Sequence, residues 1–459
     1  MSAERALRII RSTRLAAALI FFACAPAWGA PLRLNLEQCL TRALEANPNL
    51  VEARWDLRLA EARVLEANAG YYPIASLNSI TGVVPEARGR VDQPPVDTVD
   101  TKGNLGPFTR VELEFIQPLF TWGKLSAGHR AAVKGLEQEA AKGRQTRDEV
   151  IADVKSLYYD LLLAREVSRL LGEVSDNFET AIDTAEKRLE DGEGTVTQAD
   201  VLKLKIGLSS IGKEVSKARA GAELAREALA RAIGVSAEDD FDIADTRLDP
   251  LDANLKELEE YIARVFASSP EWQQLLAGLA AREAQVAVEE SDYYPSVFVA
   301  GGFKYGYAPN RDRQLSPFAN DDFNFLELPG AALGLHWPLS FGQTQAKVEQ
   351  ARAELEKVRA QKQSAETGIR LAVKKAYVDA TQTREALGLA SKGRKASRGL
   401  LVTSLSSFEL GVGDAKDLFE ALIVYTRTTS DYFESVSDYN RALAKLTQTV
   451  GEEVANLHY

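Results

Sequence analysis

Cysteine and histidine are scarce in this sequence, and their scarcity removes whole classes of chemistry. Of 459 residues, two are cysteine and three are histidine. Cys24 lies in an N-terminal stretch that reads as removable, which leaves Cys39 alone and permits no disulfide framework. His129, His336 and His458 are far apart and match no metal-ligand spacing. No phosphate loop, nucleophile elbow or Cys/His pair occurs. The chain therefore reads as no enzyme, with no cofactor and no metal site. Beyond the N-terminus no segment reaches the roughly 18 consecutive apolar residues of a membrane-spanning helix. The net charge of −11 argues against nucleic acid, whose phosphates call for a basic patch. Proline is missing between Thr121 and Arg247 and again from Leu339 to the C-terminus.

Residues 1–30 read as a secretory signal peptide. Arg5, Arg8, Arg11 and Arg14 precede an apolar run from Leu15 to Ala25, and Ala27-Trp28-Gly29-Ala30 follows. The run is about half of the roughly 20 residues a bilayer span needs, which favours cleavage after Gly29 or Ala30 over an anchor helix. Phe21-Phe22-Ala23-Cys24 is a loose match to a lipobox, although two bulky phenylalanines fit that signal poorly.

The rest of the chain is a duplication. Asn47-Pro48 recurs as Ser269-Pro270, and Tyr71-Tyr72-Pro73 recurs as Tyr293-Tyr294-Pro295, both at an offset of 222 residues. Pro118-Leu119 recurs as Pro338-Leu339 at 220, Tyr158-Tyr159-Asp160 as Tyr377-Val378-Asp379 at 219, and Leu229 to Gly234 as Leu446 to Gly451 at 217. Offsets in constant order that drift so little divide the mature chain into two structural repeats, 31–250 and 251–459. Each copy reads as a short helix (Leu36 to Ala46; Leu255 to Ala267), a helix of about 23 residues, two strand-like segments and a very long helical tract. In the first tract Val150, Val154, Leu157, Leu161, Ala164, Leu171, Val174, Phe178, Ile182, Ala185 and Leu189 keep one apolar seam at steps of three, four and seven. At 1.5 Å per residue the stretch from Gly123 to Leu189 spans roughly 100 Å, and Gly342 to Leu410 is as long. Each tract turns at a glycine pair into a return helix ending near Gly234 or Gly451.

The strand segments alternate. In Val111-Glu112-Leu113-Glu114-Phe115 the glutamates share one face, and in Phe303-Lys304-Tyr305-Gly306-Tyr307 an aromatic face stands opposite Lys304. Such alternation suits an outer-membrane strand around a wet lumen, with Glu112, Glu114 and Lys304 facing inward. A half-buried sandwich strand alternates in the same way. The signal peptide and the polar stretches Pro85 to Pro107 and Ala308 to Asn324, which read as extracellular loops, favour the barrel. Four strands cannot close a barrel alone, and an open edge in lipid strands its backbone groups. Two chains give an eight-stranded barrel filled by side chains, and three give twelve strands and a passage. The expected fold is mainly α with a membrane β-barrel part. Duplicated long helical hairpins form an α-barrel, and four strands per chain enter a trimeric twelve-stranded β-barrel.

Three groups of residues resemble the TolC-like outer-membrane efflux protein family. They are Ala43-Leu44-Glu45-Ala46-Asn47-Pro48 with Ala53; Gln117-Pro118-Leu119-Phe120 before Gly123; and Asp438-Tyr439-Asn440-Arg441-Ala442 with Leu446 and Gly451. The resemblance runs from about Leu34 to Gly451. It implies a homotrimer in outer-membrane lipid that extends into the periplasm. It also implies a periplasmic adaptor (membrane fusion) protein and an inner-membrane RND, ABC or MFS-type pump as partners. The implied function is an outer-membrane channel of a tripartite efflux or type I secretion system. In that family acidic residues ring a periplasmic gate, and Asp417 and Glu420 fall at those positions. Three copies of two carboxylates would favour cations and raise one another's pKa, whereas two acids at a helix start are otherwise ordinary dipole-favoured residues. A basic residue that often latches the family's tip is replaced by Gly413, with Lys416 nearby as a substitute. The tips at Arg188, Leu189, Gly192 and Gly194, and at Gly411 and Gly413, are the implied adaptor contacts, although tight turns alone demand glycine. A periplasmic adaptor or a helical scaffold of an export assembly is the rival reading. An adaptor would show one hairpin flanked by β-rich domains, and a scaffold would lack the strand segments.

Overall fold

The computed structural model describes residues 32–89, 100–192, 196–235, 241–315, 321–340 and 342–454. The signal peptide with Cys24, and the tip residue Gly194, lie outside them. In chain order the elements are β1 (Leu32–Leu34), α1 (Leu36–Ala46), α2 (Pro48–Ala69), β2 (Ile74–Arg88), β3 (Asp100–Phe120), α3 (Lys124–Asp191), α4 (Gln198–Ala232) and β4 (Phe241–Ile243). There follow α5 (Leu258–Ser268), α6 (Pro270–Glu290), β5 (Ser296–Tyr307), β6 (Phe325–His336), α7 (Gln343–Glu409) and α8 (Ala415–Val450). Two short helices, a hairpin of strands and a long helical hairpin thus occur twice in the same order, with α3 and α7 of 68 and 67 residues.

Local chemistry sets the boundaries. Asn35 accepts from the Gln38 amide while the Gln38 side chain accepts from the Asn35 amide, a reciprocal cap that starts α1. Ser269 caps α6 ahead of Pro270, whose missing N–H costs nothing at the first helical position. Thr197 and Asp200 form the same reciprocal cap at the start of α4. Gly451 ends α8 at φ 72.

The chain folds as two compact units that cut across the repeats. One takes residues up to Pro48, Arg147–Glu257 and those from Lys375 onward; the other takes Asn49–Thr146 and Leu258–Lys374. The first unit is held by a core of Leu170, Val174, Phe178, Ala185, Leu204, Phe408, Leu418 and Leu422, drawn from α3, α4, α7 and α8. Parallel β1 and β4 pair in this unit, a ladder too short to announce itself in the sequence. The family-like motifs have structural work here. Asn440 is fully buried; its Oδ1 accepts from the Leu251 amide at 2.9 Å and its Nδ2 donates to the Asp249 carbonyl at 3.0 Å. Arg441 pairs with Asp160 at 2.7 Å, and Asn47 Nδ2 donates to the Ala232 carbonyl at 2.9 Å, tying α1 to the end of α4.

The second unit contains a four-stranded antiparallel sheet in the order β2-β3-β5-β6. Its strands are longer than the alternation indicated. The polar stretch after Pro85 continues β2 to Arg88, with Glu86 opposite Lys102, where a loop was expected. Pro85 is tolerated because the register shifts at that point, so its missing donor falls at a bulge.

Candidate functional site

The sheet confines its charges to one face, which also carries Ile74, Ile80 and Ile116. Residues that pair across a ladder share a face, so the registers sort every side chain. Asn78, Glu112, Lys304 and Glu327 stand in one row across the four strands. Arg110 and Glu114 flank that row on the same face. The opposite face carries Leu77, Val83, Val111, Leu113, Phe115, Val297, Val299, Phe303, Tyr305, Leu326, Leu333 and Leu335, with no charge between Ile74 and Val84 or along its partners. Leu77, Leu333 and Leu335 are 67%, 72% and 63% exposed. An apolar face so open to water is foreign to a soluble sheet.

Phenylalanines close the gaps left by strand glycines. Gly82 pairs with Phe108, Gly306 with Phe325, and Gly334 with Phe298. A Cβ at those glycines would stand 2.5–2.8 Å from the facing ring. The rings therefore lie flat on the neighbouring strand.

At the helical end of the sheet an aromatic group gathers. Trp122 stacks on Tyr294 at 4.8 Å and meets Phe120 edge-on at 5.0 Å, while its Nε1 donates to the Pro295 carbonyl at 2.9 Å. Tyr72, Tyr294, Trp122 and Trp337 are all exposed. Rings with one polar tip, apolar bodies outward, suit a membrane–water boundary.

The other candidate region is the turns of the two long hairpins. Gly192 and Gly411 sit at φ +67 and +78, so the tight-turn demand for glycine holds at both tips. Gly413 is confined differently: a Cβ there would lie 2.8 Å from Ser407 Cβ and 2.9 Å from the Phe408 nitrogen. No latch residue fits that position without moving the turn. Lys416 reaches Glu420 at 3.8 Å on the exposed start of α8, a pair worth little. Asp417 and Glu420 both point away from the core and are exposed. Leu189 is half-buried against the core of the first unit.

Arg188 is engaged inside the chain. Its guanidinium, in the last turn of α3, donates to the carbonyls of Phe408 at 2.5 Å and Glu409 at 2.8 Å, and it lies 5.1 Å over the Phe408 ring. It caps the C-terminus of α7, where carbonyls lack partners and the helix dipole favours a cation. Leu410 and Val412 beside it are 78% and 82% exposed, an apolar pair at the turn that motif reading passed over. The first tip is anchored by Thr197 Oγ1 donating to Asp200 Oδ2 at 2.7 Å, a bond that holds the Asp200 carboxyl below its usual pKa.

The outer membrane efflux protein family model matches this chain twice, over residues 39–235 and 262–452. The chain belongs to that family. Protein CyaE of Bordetella pertussis is 26% identical to it over 392 residues, covering 84% of this chain and 78% of that protein. The cobalt-zinc-cadmium resistance protein CzcC of Cupriavidus metallidurans is 26% identical over 281 residues, covering 61% of this chain and 60% of its own length. The crystal structure of the Campylobacter jejuni CmeC outer membrane channel shares the fold, with a TM-score of 0.73 over 95% of this chain and 92% of that one at 15% identity. As an outer membrane efflux protein the chain is an efflux or secretion channel of the outer membrane with a periplasmic extension, and its family is a channel family rather than an enzyme family. Two matches, one per half, remove the adaptor and scaffold alternatives.

The efflux protein's expected barrel residues fall into register together: Glu112 opposite Lys304 across β3 and β5, with Glu114 one row away on the same face. Arg110 and Glu327 belong with them and were missed. Glu327 lies just before a register shift around Pro329-Gly330 that interrupts the period-two pattern.

Proposed function

We propose that three copies of this efflux protein close into a twelve-stranded outer-membrane barrel continued by an α-helical duct. Each chain would contribute two repeats, 31–250 and 251–459, each supplying one strand pair and one long hairpin. The observation that carries this reading is a sheet with charges on one face, an exposed apolar face opposite, and edge strands at β2 and β6. In lipid those edges are tenable only if β6 of one protomer pairs with β2 of the next. Glu112, Glu114 and Lys304, with Arg110 and Glu327, then line the lumen, and the apolar face meets lipid. The aromatic group around Trp122 marks the periplasmic boundary of the bilayer.

At the hairpin turns the exposed Leu410 and Val412, with Gly192, Gly411 and Gly413, present the surface for a periplasmic adaptor. Asp417 and Glu420 form an acidic ring at the gate, and Arg188 shapes the second tip rather than meeting the adaptor directly. An RND, ABC or MFS-type pump of the inner membrane supplies the cargo, since the duct is generic and the pump selects. Mass measurement of the detergent-purified protein tests the assembly: a trimer is expected, and a monomer under conditions that preserve conductance refutes it. Asp417→Ala with Glu420→Ala should lower cation selectivity; unchanged selectivity returns both acids to ordinary solvated surface.

A further inference from the structure

Between β5 and β6, the described residues 308–315 and 321–324 do not project away from the sheet. They fold back over the ends of β2 and β3 and bond to them densely. The Ala87 amide donates to the Asn310 carbonyl at 3.2 Å, and the Asp312 amide donates to the Ala87 carbonyl at 3.0 Å. Asp312 also accepts from the Gly89 amide and from Arg88, both at 3.0 Å. Asn310 Nδ2 donates to the Val84 carbonyl and Arg311 to the Pro85 carbonyl, each at 3.0 Å. Val84, Ala87 and Ala308 are buried at this seat, at 6%, 3% and 1% exposed.

The side of the sheet on which this happens is decided by three contacts. A Cβ on Gly106 would stand 2.3 Å from Asn310 Cγ, so Asn310 occupies the space into which that position points. Gly106 shares its face with Phe108 and Arg110, two and four residues along β3. Phe108 meets Phe323 of the returning segment edge-on at 5.7 Å, and Arg110 donates to the Asp322 carbonyl at 2.8 Å. These residues therefore lie over the face that bears Arg110, Glu112, Glu114 and Lys304.

We propose that residues 308–315 and 321–324, between β5 and β6, form an inward-folded constriction that narrows the bore, and so limits the size of cargo, at the outer mouth of the channel. The proposal rests on the reading that the charged face lines the lumen. Each of three protomers then places Asn310, Arg311 and Asp312 inside the barrel beyond the ends of its hairpins, where an outward loop would leave the mouth as wide as the barrel. The charges on this segment balance nearly one for one with Arg88, Arg110, Glu86 and the neighbouring aspartates, so the filter acts by size more than by sign.

The test is single-channel recording of the full-length protein in planar bilayers, with polyethylene glycols of graded mass added on the side of the hairpin tips. Gly106→Ala evicts the Asn310 side chain, and Asp312→Ala removes the contacts to Gly89 and Arg88. Both are expected to raise conductance and to admit larger polymers than wild type, whereas Asp312→Asn, which keeps an acceptor for the Gly89 amide, stays closer to wild type. Glu112→Cys with a water-soluble thiol reagent reports separately on the lumen. If that reagent lowers conductance while Gly106→Ala and Asp312→Ala keep the wild-type conductance and polymer cut-off, the constriction is refuted and the lumen assignment stands. If the reagent has no effect, the lumen assignment itself fails, and the constriction with it.

Discussion

Removing Arg188 should loosen the second hairpin tip while leaving the long helices intact. Its guanidinium forms two hydrogen bonds to carbonyls at the end of α7 and covers the Phe408 ring. Hydrogen bonds to a charged group contribute about 1.5–3 kcal/mol each when well shielded. Here one half-exposed side chain makes both, so the pair together is set near 2 kcal/mol. That corresponds to roughly a 30-fold change in the equilibrium for opening the turn. The reporters are the amides of Gly411, Val412 and Gly413, which donate to the Phe408 and Ser407 carbonyls at 2.9–3.0 Å. Hydrogen exchange read by mass spectrometry on a peptide covering this turn should accelerate by about that factor in Arg188→Ala. Arg188→Lys keeps the charge but not the fork and should fall between the two. Unchanged protection in Arg188→Ala would show that the turn holds itself and that Arg188 is free to serve another role.

Three further outcomes follow from the first unit. Asn440→Leu leaves the Leu251 amide and the Asp249 carbonyl without partners, at about 1–3 kcal/mol each, and should lower the thermal midpoint of the helical part; a wild-type melting curve contradicts the role assigned to this motif. Burial pushes the Cys39 thiol up to about 12, so at pH 8 only about one thiol in ten thousand is ionised. A maleimide should therefore label Cys39 only after denaturation, and rapid labelling of the folded protein would place it elsewhere. Asp200, with its pKa held down chiefly by Thr197, stabilises the start of α4 above its ordinary pKa and loses that contribution as pH falls through the lower folded value. Asp200→Ala should remove this acid-dependent step in exchange at the α4 N-terminus and speed exchange there at neutral pH; an acid profile identical to wild type counts against the cap.

The hairpins were legible because their signals are local and repeated. Proline-free tracts, seams at steps of three and four, and glycine pairs at the turns placed α3, α4, α7 and α8 within a few residues. The charged face of the sheet was half legible: Glu112, Glu114 and Lys304 declare themselves by alternation, while Glu327 is hidden by the bulge beside it. What pattern reading could not reach are contacts between distant parts of the chain. Arg188 finds its partners about 220 residues away, and Asn310 docks on strands that precede it by a similar distance. Polar composition also concealed the outer end of β2, where Glu86 accepts from the Asn104 side chain of β3 and pairs with Arg88.

Closure of three chains around a lumen lined by the charged sheet face can be read in one recording. Lys304→Cys in a planar bilayer, exposed to a bulky water-soluble thiol reagent, places a reporter on each protomer's lumen wall, with Cys39 protected by burial. Three discrete downward steps in single-channel current, one per protomer, are the predicted result. A conducting channel whose current is untouched by the reagent, or falls in a number of steps other than three, rules out a three-chain barrel with Lys304 on its lumen wall.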